Sequence, residues 1–461
     1  MLSASMKRVG AVLCEFIIVH TPRRPDHSCW RQRAHTSSGK CDSEGVNMKA
    51  IIVGAGIGGL TTALFLNKHG IDCEVFGQAP AIQELGVGIN LMPHASASLD
   101  EIGMLPVVER SGIAPDHLFY RTGQGLTVWD EPRGRRAGLP YPQIAIHRGR
   151  LQRLLYDGIE ARAPGGVHVD RTFMSWHETD GQVEAHFVSA SGERFAAKGD
   201  VVIGADGIHS QLRRIPFADE GMPRWSGRLM WRGTANWSKF GDGKHCVIAG
   251  SNDARLVLYP IAAGETNDTL LTNWVFVHRA AEDGSPLYGR EEWQGRADRA
   301  CCLKMLETLV IPDLDIHALA SASENIWEYA MCDRSPLPRW SFGRVTLMGD
   351  AAHPMYPFGG NGAAQAILDA KSLAVQLARA NGDVTRALNA YEQERREKVY
   401  AVVMSNRQGG PERVIDLVLS RLLGSDTNLE DIAPFEERKA IVHGYSQIAG
   451  YSVDQLRRAV C

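Results

Sequence analysis

Hydrophobic and polar positions fall into a regular pattern from Met48 onward. Lys49-Ala-Ile-Ile-Val53 is an apolar run that predicts a buried strand. Gly54-Ala-Gly-Ile-Gly-Gly59 follows, then a helical pattern from Leu60 to His69 that Gly70 stops, then a second strand from Ile71 to Phe76. A glycine-punctuated stretch, Leu85-Gly-Val-Gly-Ile-Asn90, leads into a helix ending near Gly103. Residues 115–146 carry strand-like runs such as Leu126-Thr-Val-Trp129, and Arg150 to Arg162 reads as a helix. Val167 to Phe195 alternates apolar and polar residues and breaks at Asp180-Gly181, the pattern of antiparallel hairpins. Val201 to Gly204 is again a buried strand. Residues 224–280 hold three strand candidates, Leu229-Met-Trp-Arg232, Leu256-Val-Leu-Tyr259 and Thr272-Asn-Trp-Val-Phe-Val277. A helical segment spans Glu291 to Leu309, a strand Val345 to Met348, a helix Gly362 to about Ala380, and the chain reads as mainly helical from Val384. Parallel-sheet character at both ends and in the middle, with antiparallel material between, predicts a discontinuous nucleotide domain with a β-rich domain inserted into it.

Composition narrows the class. The chain has 461 residues, 44% of them apolar, enough for a large core in more than one domain. A net charge of −3 supplies no electrostatic footprint for nucleic acid or an anionic membrane. Nine scattered cysteines without C-x-x-C spacing read as reduced thiols in a cytoplasmic protein, with no metal site. No run of 18 apolar residues predicts a membrane span. Residues 1–47, rich in Arg, His, Ser and Cys beyond Thr21, read as a disordered extension.

Gly54, Gly56 and Gly59 between strand and helix carry the first chemistry. Gly54 permits the tight turn, Gly56 lets backbone approach a pyrophosphate, and Gly59 lets helix and strand pack closely. The helix N-terminus then faces the phosphates, with Ala55 and Ile57 in the same turn. One part is absent. The acid that usually ends the second strand and holds the ribose is Gly77, and alternation points Glu74 to the opposite face. The expectation is weakened cofactor affinity, which Gly77→Glu would restore.

Two later motifs complete the set. Val201-Val-Ile-Gly-Ala-Asp-Gly-Ile-His-Ser210 places Asp206 and Gly207 at a strand end, followed by Arg213. Gly349-Asp-Ala-Ala-His-Pro354 and Pro357-Phe-Gly-Gly-Asn-Gly362 lead into a helix. Together the three motifs resemble those of the single-component FAD-dependent aromatic hydroxylases, the salicylate and para-hydroxybenzoate hydroxylase class. The resemblance covers nearly everything after residue 48. Leu85–Asn90, Trp129-Asp-Glu-Pro-Arg-Gly134, Ile146-His-Arg-Gly149, Met230-Trp-Arg-Gly233, Asn273-Trp-Val275, Asp333 and Pro336-Leu-Pro338 are most similar to the branch acting on 5-methylphenazine-1-carboxylate.

The resemblance implies α/β plus antiparallel β architecture. An FAD-binding Rossmann-like domain spans 48–114, 147–215 and 333–383, a substrate domain 115–146 and 216–332, and a helical C-terminal region 384–461. It implies an NAD(P)H- and O₂-dependent monooxygenase that hydroxylates an aromatic small molecule through a flavin C4a-hydroperoxide, with NADH or NADPH binding transiently and a homodimer as the candidate assembly. Asp350 would bond the ribityl chain, Asp206 with Gly207 the pyrophosphate side, and Arg148 the cofactor. Gly349 belongs to the same turn as Asp350. Gly360, Asn361 and Gly362 would place N–H groups by the flavin pyrimidine edge. His353 is expected to be a structural hydrogen-bonding residue. Trp231, Tyr259 and Trp274 are candidates for the substrate pocket against ordinary core packing. Pro357 is a further pocket candidate, and Arg232 is a candidate for a substrate carboxylate against an ion pair. Gln83, where relatives often carry arginine, is a second departure. Two alternatives stay open: another flavin oxidation on the same fold, such as epoxidation or Baeyer–Villiger oxidation, or a non-catalytic protein that has lost FAD.

Overall fold

The strand Lys49–Val53 is the axis of a six-stranded sheet. The computed structural model describes residues 48–84, 86–287, 295–312, 314–422 and 428–458. In it this strand pairs in parallel with Asp72–Phe76 on one side and Val201–Gly204 on the other. Val345–Leu347 extends the sheet in parallel beyond Val201–Gly204, and Val167–His168 and Ser341–Phe342 form its edges. Residues 1–47 and Leu85 lie outside the described residues, as do 291–294 of the helical segment expected from Glu291; its described part is the helix Arg299–Leu306.

Ile51 and Ile52 are fully buried because both faces of the parallel sheet are covered, one by helices and the other by the antiparallel sheet of Thr172–Thr179, Gln182–Val188 and Arg194–Gly199, which is why the strand reads as a continuous apolar run. The helix Ile57–Lys68 packs against both Gly362–Arg379 and Arg148–Glu160. It buries residues all round, so it lacks an amphipathic stripe. Its start is held without slack. A Cβ on Gly59 would lie 1.9 Å from the Gly54 carbonyl oxygen, and one on Gly54, at φ +117°, would lie 2.2 Å from that of Ala205. Gly54 thus takes a left-handed turn conformation and Gly59 allows close packing of helix and strand.

The second sheet has eight strands, drawn from 117–132 and 224–333. Their order is Gly295–Arg296, Trp327–Asp333, Arg224–Ser238, Thr269–Arg279, Ala254–Ala263, His245–Gly250, His117–Arg121 and Thr127–Pro132. All pairings are antiparallel except that of His245–Gly250 with His117–Arg121. Alternation splits its side chains between two environments. Trp231, Leu256, Leu258, Trp274 and Phe276 form a core with Cys302, Leu306 and Leu319 from the helices Arg299–Leu306 and Ile316–Ser321. Their chain neighbours face the other way. The expected hairpin is present as Thr172–Thr179 and Gln182–Val188. Its two turn residues, Asp180 and Gly181, take φ values of 51° and 78°, the left-handed pair that matches strand twist.

From Val384 the chain is helical: Val384–Arg407, Arg413–Arg421, Leu429–Ile432, Phe435–Ala449 and Val453–Arg458. The long first helix is tied to the end of the large sheet. Arg407 donates from Nε and Nη2 to the two carboxylate oxygens of the fully buried Asp333, at 2.7 and 3.1 Å. Among the described residues no helix is long and apolar enough to cross a membrane, and Cys73, Cys246, Cys301, Cys302 and Cys332 are free thiols.

Gly59→Ala is expected to destabilise the protein by about 1–3 kcal/mol or more, the cost of overpacking against a rigid backbone. Thermal unfolding should show a lowered midpoint. An unchanged midpoint would contradict the contact with the Gly54 carbonyl.

Candidate functional site

The loops at one end of the six-stranded sheet and the free face of the large sheet enclose a cavity of about 560 Å³. All three motifs reach it. Gly56 and Ile57 line it at the start of the helix Ile57–Lys68. That helix has no side-chain cap, so its first-turn N–H groups remain available, and a Cβ on Gly56 would meet nothing within 4 Å. Gly207, Gly349, Asp350, Pro357, Gly360, Asn361 and Gly362 also border the cavity, with Arg148 from the helix Arg148–Glu160. Gly54, Ala55 and Gly59 stand behind this surface; the Ala55 carbonyl accepts a bond from Gln152 Nε2 at 2.7 Å.

Asp350 borders the cavity with its side chain accessible from it, in surroundings that are otherwise protein. Burial pushes its pKa up, while His353 and Arg148 pull the other way. Open backbone at Gly56, free helix amides, and an acid and a base bordering one cavity fit the pyrophosphate and polyol of FAD.

Beneath Asp350 lies a residue that sequence reasoning missed. Asp369, fully buried in the helix Gly362–Arg379, accepts the Gly349 N–H at 3.0 Å and pairs with His353 Nε2 at 2.5 Å and Arg395 Nε at 2.8 Å. Burial alone would raise its pKa, but the two partners outweigh this and hold it at about 2. His353 thus has the structural role expected of it. The signal was a lone acid on the apolar stripe Ala366, Ile367, Ala370, Leu373. A second brace joins two motifs. Arg213 donates from Nη1 to the Ala351 and Ala352 carbonyls at 3.0 and 2.9 Å and from Nε to Glu220 at 2.7 Å.

The structure places Asp206 just behind the cavity surface, and it corrects the expectations for the two tryptophans and for Gly77. Asp206 does not border the cavity; its Oδ2 accepts the Gln211 and Leu212 N–H groups at 2.8 and 3.2 Å and caps a short helix, leaving Gly207 and Ala205 on the surface. Trp274 is fully buried behind the large sheet and donates to Ser323 Oγ at 2.8 Å. Trp231 shares that side, bonded to Glu328 at 2.8 Å. Alternation instead presents Met230, Arg232, Val275 and Val277 to the cavity. Gly77 is not a gap awaiting an acid: a Cβ there would lie 2.7 Å from the Ala55 Cβ, inside the turn that positions Gly56. Glu74 points away from the cavity, paired with Lys49 and with His168 at 3.3 Å. Gln83 is exposed.

Tyr259 and Arg232 border the cavity from the large sheet as expected. Arg232 donates from Nη2 to the Gly88 carbonyl at 2.7 Å, and its Nε, buried, has no partner. Burial lowers its pKa and Tyr259 opposes this, but a guanidinium stays charged.

The chain matches the family model described as FAD binding domain over residues 47–406. It is 41% identical over 366 residues to a phenazine 1,6-dicarboxylic acid hydroxylase of Lysobacter antibioticus, covering 77% of this chain and 88% of that protein. It is 31% identical to 3-hydroxybenzoate 6-hydroxylase 1 of Aquipseudomonas alcaligenes, covering 75% and 84%. Among solved structures, a salicylate hydroxylase substrate complex superposes with a TM-score of 0.67 at 20% identity, covering 88% of this chain and 98% of that one.

Gly77→Glu is expected to weaken FAD retention, measured by flavin fluorescence on titrating the apoprotein; tighter binding would show that the Ala55 turn yields. Asp369→Ala leaves His353 and Arg395 without their shared partner, and a loss of about 3–5 kcal/mol is expected in urea unfolding at neutral pH. The Asp369 pKa is depressed on folding, so its contribution is complete above its unfolded value near 4 and lost as pH falls towards 2. The stability gap between wild type and variant should narrow over that window; a gap independent of pH would contradict the assignment.

Proposed function

The chain belongs to the FAD binding domain family and is an FAD-dependent aromatic hydroxylase, and from that premise we propose that its substrate is a flat, fused-ring aromatic acid of the phenazine-carboxylate kind. NAD(P)H is the reductant and O₂ the oxygen source. The observation that carries the reading is Arg232, a half-buried cation whose Nε is shielded and without a partner, among Met230, Val257, Val275 and Val277 on the cavity wall, with no carboxylate in salt-bridge contact among the described residues. An unpaired charge is costly inside a protein, and a substrate carboxylate would satisfy it. The similarity to a hydroxylase of phenazine 1,6-dicarboxylic acid supports the same class.

Bound FAD supplies the hydride acceptance and oxygen activation that no side chain here provides. The protein's part is to hold and exclude. Asp350, Arg148 and the amides at Ile57 and Gly58, which line the cavity, would hold the cofactor. The turn Gly360-Asn-Gly362, which opens the helix Gly362–Arg379, brings N–H groups and a positive helix end to the same wall. Across from them Arg232 and Tyr259 orient the substrate, while Met230, Val257, Val275 and Val277 keep water from the reacting ring.

The test is to reconstitute the protein with FAD and compare phenazine carboxylates with uncharged phenazines and phenols for substrate-stimulated NAD(P)H oxidation and for incorporation of labelled O₂. Arg232→Met should raise KM for the carboxylates by about 10- to 100-fold, the loss of a charged hydrogen bond, and leave uncharged substrates little changed. An equal effect on both classes would remove Arg232 from substrate recognition.

A further inference from the structure

The turn 358–361 forms part of the cavity wall, and its internal bonds, Asn361 Nδ2 to the Gly359 carbonyl and the Gly360 N–H to the Pro357 carbonyl, are only part of what fixes it. Gly359 and Gly360 take φ values of 65° and 63°, so the backbone there follows a path few other residues adopt. The rest of what holds it comes from later in the chain. Tyr445, buried in the helix Phe435–Ala449, receives a hydrogen bond on its hydroxyl from Asn361 Nδ2 at 3.2 Å. The same hydroxyl shares its one proton between Asn406 Oδ1 at 2.9 Å and the Phe358 carbonyl at 3.1 Å. Asn406 in turn donates from Nδ2 to the Tyr356 carbonyl at 2.8 Å, which fixes its amide and presents Oδ1 to the tyrosine. Glu412 Oε1 accepts the Gly359 N–H at 3.0 Å. Even the glycine is matched to the ring, since a Cβ on Gly359 would lie 2.3 Å from the Tyr445 ring.

We propose that Tyr445 is a positioning residue of the hydroxylation site, setting the turn 358–361 through its hydroxyl so that the wall beside Asn361 and Gly362 keeps its shape during turnover. The inference rests on the hydroxylase reading and extends the working site into chain that follows the matched residues 47–406. Asn361 spends both amide hydrogens on this arrangement, one on the Gly359 carbonyl at 3.1 Å and one on Tyr445. The side chain is therefore locked, and the N–H groups of the turn are aimed by it. Tyr445 retains its proton because burial pushes its pKa well above the usual tyrosine value, so the donor is present throughout the working pH range. A site held a few tenths of an ångström out of place loses alignment between the reacting oxygen and the ring carbon, and reducing equivalents then leave as hydrogen peroxide.

Tyr445→Phe keeps the ring against Gly359 and removes only the hydroxyl. Full-length protein loaded with FAD should then consume NAD(P)H at close to the wild-type rate while product formed per NAD(P)H falls about fivefold, the scale of one buried hydrogen bond, with peroxide making up the difference. A merely structural role would lower stability and FAD content and leave that ratio alone. Ser446→Ala, on the same helix with its hydroxyl bonded to the His443 carbonyl, is the control and should match wild type. Asn406→Ala, which withdraws the hydroxyl's partner, should reproduce the loss. Wild-type coupling in whichever of the Tyr445 and Asn406 variants folds would overturn the proposal. Absence of any substrate-stimulated NAD(P)H oxidation in wild type would overturn the hydroxylase reading itself.

Discussion

The geometry of the cavity depends on one buried carboxylate. Asp369 sits where no water reaches, and only three donors make its charge tolerable: the Gly349 N–H, His353 and Arg395. Each donor belongs to a different piece of the site. Gly349 begins the turn that carries Asp350, His353 ends it, and Arg395 comes from the helix Val384–Arg407 that buttresses it. Arg395 also donates to Gln365 Oε1 at 2.6 Å, so the first turn of the helix Gly362–Arg379 joins the same network. The carboxyl that borders the cavity, Asp350, is therefore placed by one that does not, Asp369.

The nucleotide sheet was legible because its signals are local. A strand, a glycine turn and a helix within residues 49–68 each state their conformation in their own residues. The hairpin at Asp180-Gly181 was legible for the same reason. The order of the eight-stranded sheet was not, since it joins residues 117–132 to strands beyond 224, and pairing over such distances leaves no local trace.

Site residues divide along the same line. Backbone features set by glycine, at Gly56, Gly207 and Gly360, were found, and the structure brings them to one cavity. Side chains whose task is to hold that backbone were largely missed, because Asp369, Asn406 and Tyr445 lie from 16 to 87 residues away from their partners. Trp274 failed for a narrower reason. Aromatic content marks a strand residue as large and buried but does not say on which face; the register with Arg224–Ser238 decides that, and it put Val275 and Val277 on the cavity. Asp206 also caps a helix through Oδ2, a task that an acid after a strand serves equally well and that the sequence did not distinguish.

The strand Thr269–Arg279 serves two masters at once. Trp274 and Phe276 bind the sheet to the helices behind it, while Val275 and Val277 shape the chamber in front. Because neighbouring positions answer to separate demands, the chamber can be recarved one alternate residue at a time without loosening the scaffold. Substrate preference in such an architecture is free to drift over evolutionary time while the protein goes on folding as before.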